Sequence, residues 1–347
     1  MTDDVITRKT GDVGRITLNR PKALNALNQD MVEAMIDALT AWRDDPQVKA
    51  VVVDGEGEKG FCAGGDIRML AESGQAGDGR AWKFWRDEYR LNTLIAEYPK
   101  PYVALIDGVT MGGGVGISVH GEFRVAGDKT VFAMPETGIG FHPDVGGAFF
   151  LPRLAGEIGT WMGLTGARLK TADCIASGVA THYVPTERFG ELINALETDP
   201  LDDDGERIDQ LLDGFGEAAG NSELSLSLGL IDAAFAGHDA DAIMSRLDQA
   251  GDDWSQKQAS VLKSKSPTSV AVTLAALRKG AELDFREVMT QDLRVSMRFL
   301  SEGSDFYEGV RAVILDKDNA PAWGARAADI DSYFKPLSGD EEMTFLD

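Results

Sequence analysis

The chain has 347 residues, 43% of them hydrophobic, and a formal net charge of −23 at pH 7. That length and apolar content can bury a sizeable core, in one large domain with an appended helical part or in two domains. The negative mean field excludes nucleic acid or an anionic membrane as a general partner, although local lysines and arginines can still receive an anionic substrate in a cleft.

Two cysteines, Cys62 and Cys174, form neither a disulfide framework nor a cluster with metal-ligand spacing. His120, His142 and His182 show no metal-binding pattern either, so no metal is expected. Met1-Thr2-Asp3-Asp4 lacks the basic and apolar regions of a signal peptide, and no apolar run of about 18 residues occurs. A cytoplasmic protein that does not engage a membrane is expected.

Asp4 to Lys9 and Gly14 to Leu18 alternate on either side of Gly11-Asp12 and predict a hairpin. Asn28 to Arg43 places Met31, Met35, Ile36, Leu39 and Trp42 at helical period, with Asn28 as the cap. A strand from Ala50 to Asp54 follows, then a Gly-rich turn, a polar loop from Ser73 to Gly79 and a helix from about Arg80 to Tyr98. The strand Tyr102 to Asp107 leads to a second Gly-rich turn. Strand and helix repeated in this way predict right-handed units on a mainly parallel sheet.

Strand signals fade from about Pro185, dividing the chain into an α/β core over 1–185 and a mainly helical region over 186–347. Thr198 to Glu206 reads as a solvated acidic loop and Gly214 to Asn221 as a small-residue break. Asp239 to Ala250, Trp254 to Lys263 and Ser269 to Leu300 are helical by period, the last broken near Gly280.

The chemistry concentrates in Gly60-Phe61-Cys62-Ala63-Gly64-Gly65-Asp66 and Met111-Gly112-Gly113-Gly114-Val115-Gly116. Each follows a strand and opens a helix, so two strand-to-helix turns can aim backbone N–H groups at one oxygen, as growing negative charge on a thioester requires. Glu136 and Asp144 lie eight residues apart across Gly138-Ile139-Gly140 and can converge on one pocket, where each raises the proton affinity of the other. Asp144 can equally cap a helix over Val145 to Leu154. Cys62 has no recognisable histidine partner and reads as a small buried filler rather than a nucleophile.

These turns, with Leu18-Asn19-Arg20-Pro21-Lys22-Ala23-Leu24-Asn25-Ala26-Leu27 and Phe132-Ala133-Met134-Pro135-Glu136, resemble the crotonase (enoyl-CoA hydratase/isomerase) superfamily. Continuation through Thr137-Gly138-Ile139-Gly140-Phe141-His142-Pro143-Asp144, with Arg86-Asp87-Glu88-Tyr89 and Asp305-Phe306-Tyr307-Glu308-Gly309, is closest to its 3-hydroxyisobutyryl-CoA hydrolases.

The resemblance implies a spiral core of ββα units followed by helices, and hydrolysis of a 3-hydroxyacyl-CoA thioester in valine catabolism. It implies Gly65 and Gly113 as oxyanion donors, Glu136 and Asp144 as catalytic carboxylates and Glu88 as a substrate-binding group. The Ala63 carbonyl would take the CoA adenine, with Lys22, Ala23 and Ile67 along the same groove. Lys22 otherwise reads as a solvated surface lysine. No cofactor beyond the CoA of the substrate is implied, and the assembly would be a homo-oligomer, trimeric or hexameric. Hydratases of the superfamily carry a second glutamate where this chain has Gly116, which puts addition of water to a double bond in doubt. An enoyl-CoA hydratase or isomerase, or a non-catalytic acyl-CoA-binding member, is the alternative.

Overall fold

The computed structural model describes residues 2–202 and 204–346; Met1, Asp203 within the acidic stretch, and Asp347 lie outside the described residues. Strands β1 (Val5–Thr10) and β2 (Val13–Leu18) pair antiparallel as the expected hairpin. Helix α1 (Gln29–Arg43) is capped by Asn28, whose side chain accepts from the Met31 N–H. Strands β3 (Ala50–Gly55) and β4 (Gly60–Cys62) lead to α2 (Ile67–Ala76) and α3 (Arg80–Ala96). Next come β5 (Tyr102–Ile106), β6 (Val109–Met111), the single turn α4 (Gly113–Gly116), β7 (Phe123–Ala126) and β8 (Val131–Ala133).

A short turn α5 (Gly147–Phe150), α6 (Ile158–Thr165), β9 (Leu169–Lys170), α7 (Thr171–Ser177) and β10 (His182–Tyr183) complete the first part. Helices α8 (Phe189–Thr198), α9 (Glu206–Phe215), α10 (Leu228–Phe235), α11 (Ala240–Ala250) and α12 (Asp253–Lys263) follow. The last are α13 (Pro267–Gly280), α14 (Phe285–Arg298) and α15 (Asp305–Val310), so the helical run does break after Gly280.

Two sheets result, in the orders β1-β2-β3-β5-β7-β10 and β4-β6-β8-β9, parallel except at β1-β2 and β8-β9. The alternation of side chains along a strand explains the layering. Val51 and Val53 of β3, with Ala104 and Ile106 of β5, join Met31, Met35, Leu39 and Ile95 on one face. Ala50, Val52, Val103 and Leu105 face the other way, onto Leu192, Leu196, Ile208 and Leu212 of α8 and α9. Sheets covered on both faces read as continuous apolar runs, and Ala50-Val51-Val52-Val53 is one.

The inner cluster also takes in Trp85, Phe141, Leu293, Phe299 and Phe306, with α14 packed on α3 and α15 on the 3-10 turn that follows β8. Trp85 and Phe141 stack with centroids 5.4 Å apart.

The Ser73 to Gly79 stretch departs from expectation. Helix α2 continues through Ala76, and Ser73 is buried, its hydroxyl donating to Asp78 at 2.5 Å and accepting from the Ala81 N–H. Polar composition suggested a loop, but Ser73 and Asp78 together staple α2 to the start of α3.

Candidate active site

The first Gly-rich turn is pinned to the segment after β2. Leu27 N–H donates to Gly64 C=O at 2.7 Å, Asp66 N–H to Leu27 C=O at 3.0 Å, and Ala63 N–H to Leu24 C=O at 3.0 Å. Gly64 at φ 122° and Gly112 at φ 48° occupy backbone space that favours glycine. The two turns touch: a β-carbon placed on Gly113 would lie 3.3 Å from the carbonyl carbon of Gly64. Gly65 and Gly113 line one cavity of about 440 Å³. Among the described residues, neither of their N–H groups donates to a protein acceptor. Free, fixed donors at two touching turns suit an oxygen that gains negative charge.

Three carboxylates line the same cavity, namely Glu88, Glu136 and Asp144, which are 2%, 6% and 6% exposed. Glu136 opens the 3-10 turn after β8, and its Oε1 lies 3.3 Å from where a Gly112 β-carbon would stand. Glu88 comes from α3; a Gly113 β-carbon would lie 2.5 Å from its Oε1, so that carboxylate lies directly against the turn.

Burial, then the charge of Asp144, pushes both Glu88 and Glu136 well above the usual carboxylate range, and Lys265 draws Glu136 back in part. Burial raises Asp144 to about 7, against the hydrogen bond from Tyr89. Groups poised near neutrality in a cleft are suited to proton transfer.

The segment carrying Asp144 is strained and clamped. Val145, β-branched, sits at φ 49°, a conformation that costs on the order of 1–3 kcal/mol. The Gly146 N–H donates to Asp292 Oδ2 at 2.8 Å on one side, and His120 Nε2 meets the Val145 carbonyl at 2.7 Å on the other. The helix cap reading of Asp144 fails here: α5 starts at Gly147 behind Gly146 without a side-chain cap, and the Asp144 carboxylate accepts from Tyr89 instead.

Of the residues singled out from sequence, Gly65, Gly113, Glu136, Asp144, Glu88, Ala63 and Ile67 line the cavity. Lys22 and Ala23 do not; they occupy a short turn, Pro21–Ala23, with Lys22 exposed, and adjoin the site through the bond between Leu24 and Ala63. Glu88 is buried, its carboxylate lying against the second Gly-rich turn at Gly113. Cys62 is a buried filler as expected, its thiol pushed up to about 12 by burial.

Sequence reasoning missed Tyr89, Asp292 and Ser296 as neighbours of Asp144, and Lys265 and Arg168 in the cavity wall. Asp292 and Ser296, four residues apart, did mark one polar stripe on a helix otherwise buried through Val288, Leu293 and Val295.

Residues 13–333 match the family model described as enoyl-CoA hydratase/isomerase. Over 97% of the chain and 90% of the relative, identity is 44% to "3-hydroxyisobutyryl-CoA hydrolase, mitochondrial" of Gallus gallus. The protein of the same name from Homo sapiens is 42% identical over 99% of this chain and 91% of its own. Among solved structures, a carnitinyl-CoA dehydratase from Mycobacterium thermoresistibile superposes with TM-score 0.92 at 39% identity, covering 99% of both chains. An enoyl-CoA hydratase from Rhodobacter sphaeroides 2.4.1 gives 0.88 at 40% identity over 99% of this chain and 100% of that one.

Proposed function

The chain belongs to the enoyl-CoA hydratase/isomerase family, and from that premise we propose that it hydrolyses a 3-hydroxyacyl-CoA thioester. The substrate assigned is 3-hydroxyisobutyryl-CoA, after the names of the relatives, giving 3-hydroxyisobutyrate and CoA; with this substrate the reaction belongs to valine catabolism. The observation that carries the reading is the pair of free N–H groups at Gly65 and Gly113 facing a cavity with Glu136, while Gly116 offers no second catalytic carboxylate there.

In this reading the thioester oxygen sits between the two N–H groups. Glu136 either takes a proton from an attacking water or attacks the carbonyl carbon itself, giving a mixed anhydride that water then cleaves. In both routes the C–S bond breaks, the sulfur leaves with the electron pair and takes up a proton, and water supplies the new carboxyl oxygen. Asp144 and Glu88 hold the 3-hydroxyl and so orient the acyl group. Ala63 receives the adenine, and Lys22, Ala23 and Ile67 follow the CoA along its groove.

The two solved structures, a carnitinyl-CoA dehydratase and an enoyl-CoA hydratase, favour a second reading, reversible hydration of an enoyl-CoA, at 39–40% identity. That reaction places a proton and a hydroxyl across a double bond, which a pair of carboxylates performs best. Incubation with 3-hydroxyisobutyryl-CoA and, separately, crotonyl-CoA distinguishes the two. Release of free thiol from the first, far faster than loss of enoyl absorbance from the second, is expected. Fast hydration without thiol release would replace the hydrolase reading with the hydratase one.

A further inference from the structure

Three buried carboxylates around Asp144 each keep an oxygen without a hydrogen-bond partner: Glu88 Oε1, Glu136 Oε2 and Asp292 Oδ1. Asp144 differs, because the Tyr89 hydroxyl donates to its Oδ2 at 2.7 Å. Behind Tyr89 stands Ser296, with Oγ 2.8 Å from the phenol oxygen. Behind Ser296 stands His142, with Nε2 2.9 Å from the same Oγ. Tyr89, Ser296 and His142 are all fully buried, and none lines the cavity.

We propose that Tyr89, Ser296 and His142 are positioning residues, a hydrogen-bonded chain that orients Asp144 and holds it as the ionised carboxylate of the cluster. The role given to Asp144 in turnover rests on the hydrolase reading; the chain behind it does not.

Counting hydrogens sets the direction of the chain. Tyr89 has one, and it points at Asp144. The phenol oxygen therefore accepts from the Ser296 hydroxyl, whose own oxygen is left to accept from His142, and His142 must supply Nε2–H. The ring is then the neutral Nε2–H tautomer. It stacks within 12° of parallel on Phe299, and burial pushes it down to about 3 against a hydrogen bond to the Pro143 backbone, so it carries no charge. Three donors aligned toward one carboxylate polarise one another and strengthen the last bond, the one that favours charge on Asp144. A proton on Oδ2 would reverse every hydrogen in the chain, which His142 could follow only by changing tautomer.

The remaining charged groups nearby do not supply this effect. Glu88 on α3, Glu136 on the turn after β8 and Asp292 on α14 all oppose a negative Asp144. Lys265, before α13, sits beside Gly138 in the cavity wall and acts on Glu136, while neutral His120 reaches only the Val145 carbonyl. Among the described residues, Tyr89 is thus the side chain whose hydrogen bond stabilises the charged form of Asp144.

The test uses the full chain with Tyr89→Phe and Ser296→Ala. Carboxyl carbon NMR follows Asp144, assigned with Asp144→Asn, and ring nitrogen NMR reads the tautomer of His142 in the unmutated protein. Asp144 should titrate about one pH unit higher in Tyr89→Phe and shift less, in the same direction, in Ser296→Ala. His142 should be Nε2–H. With 3-hydroxyisobutyryl-CoA, the acid limb of kcat/KM should move up in both variants, and Tyr89→Phe should lose about tenfold at pH 7. An Asp144 titration unchanged in Tyr89→Phe, even with a lowered Tm, would reduce the chain to packing and overturn the proposal. His142 as Nδ1–H would overturn it too and needs no variant. If the unmutated protein releases no thiol, the hydrolase reading falls, while the two NMR measurements still decide the chain.

Discussion

Gly116 is packed against Asn92: a β-carbon placed on Gly116 would lie 2.8 Å from Asn92 Nδ2 and 2.7 Å from Val145 Cβ. The absent carboxylate of the sequence comparison is therefore not an empty place beside Glu136. Its room is taken by a fully buried amide from α3 and by the strained residue next to Asp144.

From this contact, Gly116→Ala should already destabilise the protein by about 1–3 kcal/mol, since an extra carbon forces Asn92 or the Asp144 segment to shift. Gly116→Glu should lose more stability and most hydrolysis, and should not restore hydration of crotonyl-CoA. Denaturant unfolding and the two substrate assays check this. A stable Gly116→Glu variant with normal thiol release would mean that the segment yields freely.

Glu136→Gln should preserve the fold and CoA binding and lose about two to four decades of kcat, the range typical of a general base. Because burial and Asp144 raise Glu136 well above the usual carboxylate range, its reactive, deprotonated form accumulates only as pH rises. In the unmutated enzyme kcat/KM should therefore climb with pH on an acid limb far above that of an ordinary glutamate. Near-normal kcat in Glu136→Gln at unchanged Tm would remove Glu136 from the mechanism.

Asp144 links activity to stability. Its folded value, raised by burial to about 7, exceeds the unfolded one near 3.8. The folded chain thus binds this proton more tightly than the unfolded chain. The resulting stability is complete below about pH 4 and is lost as pH rises through 7. Asp144→Asn, which keeps an acceptor for Tyr89, should gain Tm over the unmutated protein between pH 4 and 7 and hold that gain above. It should also lose kcat/KM strongly on 3-hydroxyisobutyryl-CoA and less on isobutyryl-CoA, which lacks the hydroxyl. Equal losses on both substrates would move Asp144 from the hydroxyl to the thioester.

Cys62 should be chemically silent although it lies in the oxyanion turn. Burial pushes both Cys62 and Cys174 up to about 12, leaving almost no thiolate at neutral pH. Iodoacetamide at pH 8 should label neither thiol until the chain unfolds, and Cys62→Ala should keep most activity. Rapid labelling of folded protein with parallel loss of turnover would revive a cysteine mechanism.

What the sequence determined by itself was local or periodic. Apolar spacing defined α1 and the helix that breaks near Gly280, and the run Ala50-Val51-Val52-Val53 marked a strand. The paired Gly-rich turns with Glu136 and Asp144 marked the site, because close backbone approach demands residues without side chains. Tertiary structure alone decided what depends on distant segments meeting. Glu88 is buried because its carboxylate meets the turn at Gly113, and Asp144 is no cap because Tyr89, 55 residues earlier, reaches its carboxylate. Gly116 is closed by Asn92 and Val145. Helical period shows which face of a helix is buried, but a polar residue on that face reveals its partner only when another helix supplies one. The desolvation that sets the protonation of these carboxylates exists only after that packing is complete.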